Sequence, residues 1–179
     1  VLVTPAQAQD DQAAELAKKL SNPLASLISV PVQYNRDEYG GANDGATVSR
    51  VIFQPVIPFS LNEDWNLITR TLIPLVDQQD FPAAALNESG LGDTTSSLFF
   101  SPKSPTAGGW IWGAGPVLLL PTASEDVLGT EKWGIGPTAA ALKQTGPWTI
   151  GFLGNHIWSV AGDDDRADVN ATFLQPFFS

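Results

Sequence analysis

The densest group of potential metal ligands in the sequence lies near its end, at Asp163, Asp164, Asp165 and Asp168. Hard cations such as Ca²⁺ prefer several oxygen ligands of this kind. The spacing, however, lacks the Asp-x-Asp-x-Asp-Gly pattern of a dedicated calcium loop. Two interpretations stay open: a solvated acidic loop, which the spacing favours, and a weak divalent-cation site.

No arrangement typical of an enzyme accompanies these aspartates. His156 is the only histidine, and no nucleophile motif lies near it that would build a Ser-His-Asp triad. The lack of cysteine removes thiolate nucleophiles, thiolate metal sites and disulfides. The motif Gly-x-Gly-Pro, present at 113–116 and again at 134–137, lacks the helix that follows a dinucleotide fingerprint. The sequence therefore predicts no catalysis and no cofactor, and a structural role for both motifs.

Segments of about ten residues separated by turn signals make up most of the chain. Eight of them are strand candidates, at 24–36, 47–60, 65–76, 94–101, 110–121, 133–143, 148–160 and 170–178. A tilted strand needs about 9 to 11 residues to cross a bilayer, whereas soluble strands usually have about 5 to 6. No apolar run exceeds four residues, far short of the roughly 20 of a membrane helix. The pattern predicts an all-β fold, an antiparallel up-and-down transmembrane β-barrel.

Aromatic and acidic residues are distributed unevenly over these segments. Five tryptophans lie at segment ends, as in the aromatic girdles of membrane barrels: Trp65, Trp110, Trp133, Trp148 and Trp158. The first, third, fifth and seventh connections between segments hold 14 of the 19 acidic residues. Alternate connections of a meander lie on one side, so we expect one acidic edge with long loops and an opposite edge with short turns.

Four polar residues within the strand candidates are predicted to line the lumen: Arg50, Gln54, Arg70 and Asn155. A basic side chain that faces lipid at the midplane costs about 2 to 4 kcal/mol, so the lumen is the favourable side. A register error of one residue would reverse every facing. The alternative is that Arg50 and Arg70 lie near a membrane interface and that their guanidinium groups reach the headgroups.

The N-terminal region is interpreted as two short units before barrel strands at 24–179. Residues 1–8 resemble the end of a secretory signal, because Ala6-Gln-Ala8 matches the small-x-small pattern of signal peptidase sites. A chance match in an irregular N-terminus is the alternative. Residues 9–23 predict a short helix with acids in front and lysines behind, which Asn22-Pro23 ends. The formal net charge of −10 argues against nucleic acid as a partner.

Several sequence blocks, in order, resemble a family of bacterial outer-membrane β-barrel transporters associated with the meta-pathway of phenol degradation, some of whose members carry the label neuromedin U. These blocks are AELAKKLSNPLASLISVPVQ at 14–33, FQPVIP at 53–58, DWNLITRT at 64–71, SPK at 101–103, GGWIWG at 108–113 and NHIWSVAGDDD at 155–165. The resemblance implies a channel or transporter in the outer membrane and brings no catalytic residues. Members of the family are longer, so we expect a C-terminally incomplete barrel. Eight strands that close into a barrel filled with side chains, without a wide channel, are the alternative.

Two main functions remain open on the sequence. The first is passive passage of small solutes, including apolar or aromatic compounds, across the outer membrane. The second is a non-conducting structural or surface-interaction barrel whose acidic loops bind cations, lipopolysaccharide or a protein partner. A soluble lipocalin-like binding module is a third, weaker interpretation. The expected partners are outer-membrane lipid, lipopolysaccharide and a small-molecule solute.

Overall fold

The computed structural model describes residues 24, 27–40, 45–83 and 85–178, and its regular structure is almost entirely β-strand. The predicted signal remnant at 1–8 and the predicted helix at 9–23 lie outside the described residues. The strands are β1 (Val32–Glu38), β2 (Thr47–Phe53), β3 (Val56–Ser60), β4 (Trp65–Gln79), β5 (Glu88–Leu91), β6 (Thr94–Pro102), β7 (Trp110–Leu120), β8 (Lys132–Thr145), β9 (Trp148–Gly162) and β10 (Asn170–Phe178). A single turn of 3-10 helix spans Asp126–Leu128. None of the helical structure described is long and apolar enough to span a bilayer.

The strands form one antiparallel sheet that curls into a half-barrel. Its order is β1-β2-β4-β6-β7-β8-β9-β10, with β3 and β5 paired to β4 at its two ends. The predicted all-β antiparallel meander is thereby confirmed. Three details differ from the prediction: the first strand begins at Val32 and not at residue 24, segment 47–60 is two strands, and the short strand β5 was missed. Pro55, which has no N–H to donate, lies in the gap between β2 and β3, while the register on β4 stays unchanged across it.

Strand register divides the side chains into two faces. Cross-strand partners in an antiparallel sheet point to the same side, and neighbours along a strand point to opposite sides. We call the face that carries Ile68, Phe99 and Ala140 the inner face, because these side chains are buried. The other face, which carries Trp65 and Trp112, is the outer face. The outer face also carries polar and charged strand residues, among them Thr71, Lys143 and His156. The hydroxyls of Thr71 and Ser96 hydrogen-bond each other at 3.1 Å.

Leu24 packs on the inner face at the centre of the main apolar cluster. It is 4% exposed and belongs to a cluster drawn from β3, β4, β6, β8 and β9, whose members are Val56, Ile68, Phe99, Ala140 and Leu153. Residues from strands this far apart pack into one cluster only if the sheet curves around it. Gly113 leaves space for Leu24, since a Cβ there would lie 3.0 Å from a Leu24 methyl carbon.

The two Gly-x-Gly-Pro motifs lie side by side on β7 and β8, where Pro116 and Pro137 are directly opposite each other. Each proline lacks an N–H, and the ladder to the neighbouring strand on the far side is interrupted there. At the glycine just before each proline, a neighbouring backbone carbonyl oxygen occupies the space of a Cβ: Leu98 beside Gly115, and His156 beside Gly136. The repeat therefore has a local structural role in the sheet.

Candidate functional site

All six tryptophans lie on the outer face, and each is between 36% and 55% exposed. Four lie near the edge formed by the short connections 61–64, 103–109 and 146–147, which we call the turn edge: Trp65, Trp110, Trp112 and Trp148. Trp133 and Trp158 lie toward the opposite edge. Rings at the turn edge contact one another, with centroids 6.0 Å apart for Trp65 and Trp112. Trp148 stacks on Phe178 at 4.8 Å.

The spacing of these two aromatic bands matches an apolar layer. Trp148 and Trp158 are ten residues apart in β9, or about 33 Å along an extended strand at about 3.3 Å per residue. A strand tilted by about 40° would span about 25 Å in height, which is close to the apolar band of an outer-membrane barrel. The outer surface between the bands carries exposed apolar side chains, among them Ile135, Ile150 and Phe152. The outer face therefore has the composition and the height of a lipid-facing wall.

Polar side chains on the inner face form a chain across the first strands. The Arg70 guanidinium donates to the Gln54 side-chain oxygen at 2.6 Å, and the Gln54 amide donates to the Gln33 side-chain oxygen at 3.0 Å. Gln54 is 7% exposed, and its backbone N–H donates to the carbonyl of Pro31. The structure thus brings together Arg70 and Gln54, which the sequence singled out, and adds Gln33, which sequence reasoning missed. One signal could have found Gln33: it is a polar residue directly before Tyr34 in the first segment, and neighbours along a strand point to opposite faces.

Arg50 and Asn155 lie on the same inner face but outside this chain. Arg50 pairs with the carboxylate of Asp37, its close neighbour on β1. Asn155 lies on β9, four strands away from β4, and is opposite Thr138 of β8. All four predicted residues therefore share one face, while only two of them are in contact.

Lys132 is a buried cation that the sequence did not single out. It is 6% exposed, and its ammonium lies 3.3 Å from the carboxylate of Asp168 in the connection after β9. The hydrogen bond from the Ser159 hydroxyl, followed by the hydrogen bond and charge of Lys132, lowers the pKa of Asp168. This pair ties the start of β8 to the loop that joins β9 and β10.

The long connections meet at what we call the acidic edge, whose described residues are 39–40, 45–46, 80–83, 85–87, 92–93, 121–131 and 163–169. Arg166 links two of these loops, with its guanidinium 3.2 Å from the Glu131 carboxylate and a second bond to the Asp126 carbonyl at 2.7 Å. The Asp93 carboxylate accepts from both the backbone N–H and the hydroxyl of Thr130, each at 2.6 Å. Desolvation, and then the charge of Asp126, raises the pKa of Glu131. The acidic connections are therefore linked to one another.

The four aspartates that the sequence offered as a weak cation site are used in other ways. Asp163 accepts the backbone N–H of Asp165 at 2.8 Å, and Asp168 is engaged by Lys132 and Ser159. In the part of the chain that the structure describes, no group of three or more His, Cys, Asp or Glu side chains is placed to hold a metal ion. The structure does not bring Asp163, Asp164, Asp165 and Asp168 together as a ligand set.

Comparison with known proteins gives one structural relative. No family model and no curated protein sequence matches the chain. Among solved structures, the chain is similar to an outer membrane channel from Pseudomonas putida, at 25% sequence identity and a TM-score of 0.58. The match covers 75% of this chain and 56% of that one, so the chain spans little more than half the length of the channel it resembles. The curled antiparallel sheet is thus a fold shared with part of an outer membrane channel.

Proposed function

We propose that this chain forms part of the wall of a bacterial outer-membrane channel that lets small solutes pass passively and catalyses no reaction. One observation carries the proposal: the sheet has an outer face with all six tryptophans exposed and an inner face with Arg50, Arg70 and Asn155. A soluble sheet would bury its largest aromatic side chains. Here they lie where lipid would cover them, while Arg50, Arg70 and Asn155 lie on the side that water would reach.

The spacing of the aromatic bands and the similarity to an outer membrane channel support this proposal from independent directions. Two bands about 25 Å apart in height fit the apolar layer of an outer-membrane barrel. In this arrangement the acidic edge lies outside the cell, next to lipopolysaccharide, and the turn edge faces the periplasm. The sequence blocks that resemble transporters associated with phenol degradation favour small apolar or aromatic compounds as the solutes.

Planar-bilayer recording of the full-length protein tests the proposal. We expect discrete conductance steps in potassium chloride, and swelling of proteoliposomes in small neutral solutes that falls as solute size rises. A protein that inserts into bilayers, resists protease there and yet gives neither conductance nor swelling would contradict the channel.

A triple variant separates passage from loop binding. Asp163→Asn, Asp164→Asn and Asp165→Asn remove three exposed charges of the acidic edge while leaving the Lys132–Asp168 pair in place. We expect the single-channel conductance of this variant to stay within about twofold of wild type, because exposed charges farther than about 8 Å from a passing ion are largely screened at physiological salt. Loss of passage in a correctly inserted triple variant would place the function in the loop and not in the wall.

A further inference from the structure

Among the residues that the structure describes, three basic side chains lie on the inner face of the sheet, and two of them are paired with carboxylates. Arg50 is paired with Asp37, and Lys132 lies 3.3 Å from Asp168. Arg70 has no carboxylate within ion-pair distance among the residues that the structure describes; its hydrogen-bond partner is the neutral side chain of Gln54. The positive charge of Arg70 on this face is therefore uncompensated in the described part of the chain.

The hydrogen bonds around Arg70 fix the guanidinium without using most of its donors. A guanidinium has five N–H donors, and within the described ranges of the chain Arg70 gives one hydrogen bond, to Gln54. Gln54 is itself held in place by Gln33 and by the carbonyl of Pro31. The direct cross-strand neighbours of Arg70 are Val56 and Ser97, neither of which is charged. An oriented guanidinium with free parallel N–H groups and no competing acid is the arrangement that binds a carboxylate by two hydrogen bonds.

The position of Arg70 along β4 places it in the middle of the wall. It follows Trp65 of the turn-edge aromatic band by five residues, which is about 17 Å along an extended strand. A solute that crosses along the inner face would pass this charge in the middle of the wall, far from both edges. Screening by bulk water is weakest at that depth.

From these observations we infer that Arg70, oriented by Gln54, is an anion-binding site in the channel and that the solutes it selects are small organic carboxylates. The inference rests on the proposed channel function and narrows its small apolar or aromatic solutes to those that carry a carboxylate. Lysine would keep the charge of Arg70 but lose the planar pair of donors, so charge and geometry make separable contributions.

The experiment uses the full-length protein with butyrate as the probe and butyramide as a neutral probe of the same size. In a potassium chloride gradient, Arg70→Gln is expected to lower the chloride-to-potassium permeability ratio by roughly 30-fold, because one unit charge about 4 Å away in water favours chloride and disfavours potassium by about fivefold each. Butyrate is expected to reduce the wild-type chloride current, and butyramide is not. Arg70→Lys is expected to keep the permeability ratio and to lose most of the butyrate effect.

Arg36→Gln is the matched control, because it removes the same charge from an exposed outer-face position on β1. Calorimetric titration of butyrate onto the detergent-solubilised protein gives a readout that does not depend on conduction, with binding expected in wild type and absent in Arg70→Gln. Conductance without any difference between Arg70→Gln and Arg36→Gln would overturn the anion site and leave the channel standing. Butyrate binding that depends on Arg70 in a protein without conductance would overturn the channel and retain the site.

Discussion

Replacing Gly136 by alanine is expected to weaken the pairing of β8 with β9 more than any ordinary surface substitution. A Cβ at this position would overlap the backbone carbonyl oxygen of His156, and backbone cannot move aside as a flexible side chain does. The ladder is already interrupted there by Pro137, so the flanking pairs Ile135 with Trp158 and Thr138 with Asn155 must absorb the displacement.

The magnitude follows from those two flanking pairs. Loss of about two backbone hydrogen bonds costs about 2 kcal/mol, and the strain of an extra methyl group adds about 1 kcal/mol or more. We therefore expect Gly136→Ala to lower the free energy of unfolding by about 3 kcal/mol. Gly115→Ala in the first motif should behave alike, because the carbonyl of Leu98 occupies the corresponding space.

Urea unfolding of the protein in lipid vesicles, followed by tryptophan fluorescence, measures this loss. Gly108→Ala is the control, since the nearest atom to its Cβ would lie 3.6 Å away in ordinary contact, and we expect a change within about 0.5 kcal/mol. If Gly136→Ala and Gly108→Ala unfold at the same urea concentration, the β9 backbone does not approach Gly136 as closely as the structure indicates.

Three further predictions concern the inner cluster and the loops. Leu24→Ala is expected to cost about 3 kcal/mol, within the usual range for a buried leucine, while Leu61→Ala, at an exposed position, should be near neutral by the same urea assay. Asp168→Asn should lower the urea midpoint at pH 7, because the buried Lys132 ammonium loses its carboxylate. Because the pKa of Asp168 is lowered in the folded protein, wild type has this stabilisation in full at pH values above the ordinary aspartate pKa. It loses the stabilisation as pH falls through the lowered pKa. The pKa of Glu131 is raised, so its contribution to stability is complete below the ordinary pKa of 4.5 and is lost as pH rises through the raised pKa. Glu131→Gln should flatten that part of the curve of urea midpoint against pH. An unchanged curve would contradict the raised pKa.

Most strand positions were predictable because they depend on local chemistry. Period-two patterning and turn residues mark strands without knowledge of their partners, and the bounds of β6, β7 and β10 agree with the predicted segments to within one residue. The short strand β5 was missed because it has only four residues and depends on pairing with the far end of β4. The break after Phe53 was missed because Gln54-Pro55 interrupts a continuous apolar pattern without changing the register.

By itself, the sequence determined the all-β meander, the tryptophans at strand ends and the acidic residues on alternate connections, because strand order along the chain is enough to place them. Only the tertiary structure decided the faces, since a slip of one residue would exchange inner for outer everywhere. It also decided which charges remain unpaired, because the partners of Arg50 and Lys132 come from other strands and loops. The separation of Arg70 from every described carboxylate is a property of the curled sheet, and no pattern along the chain records it.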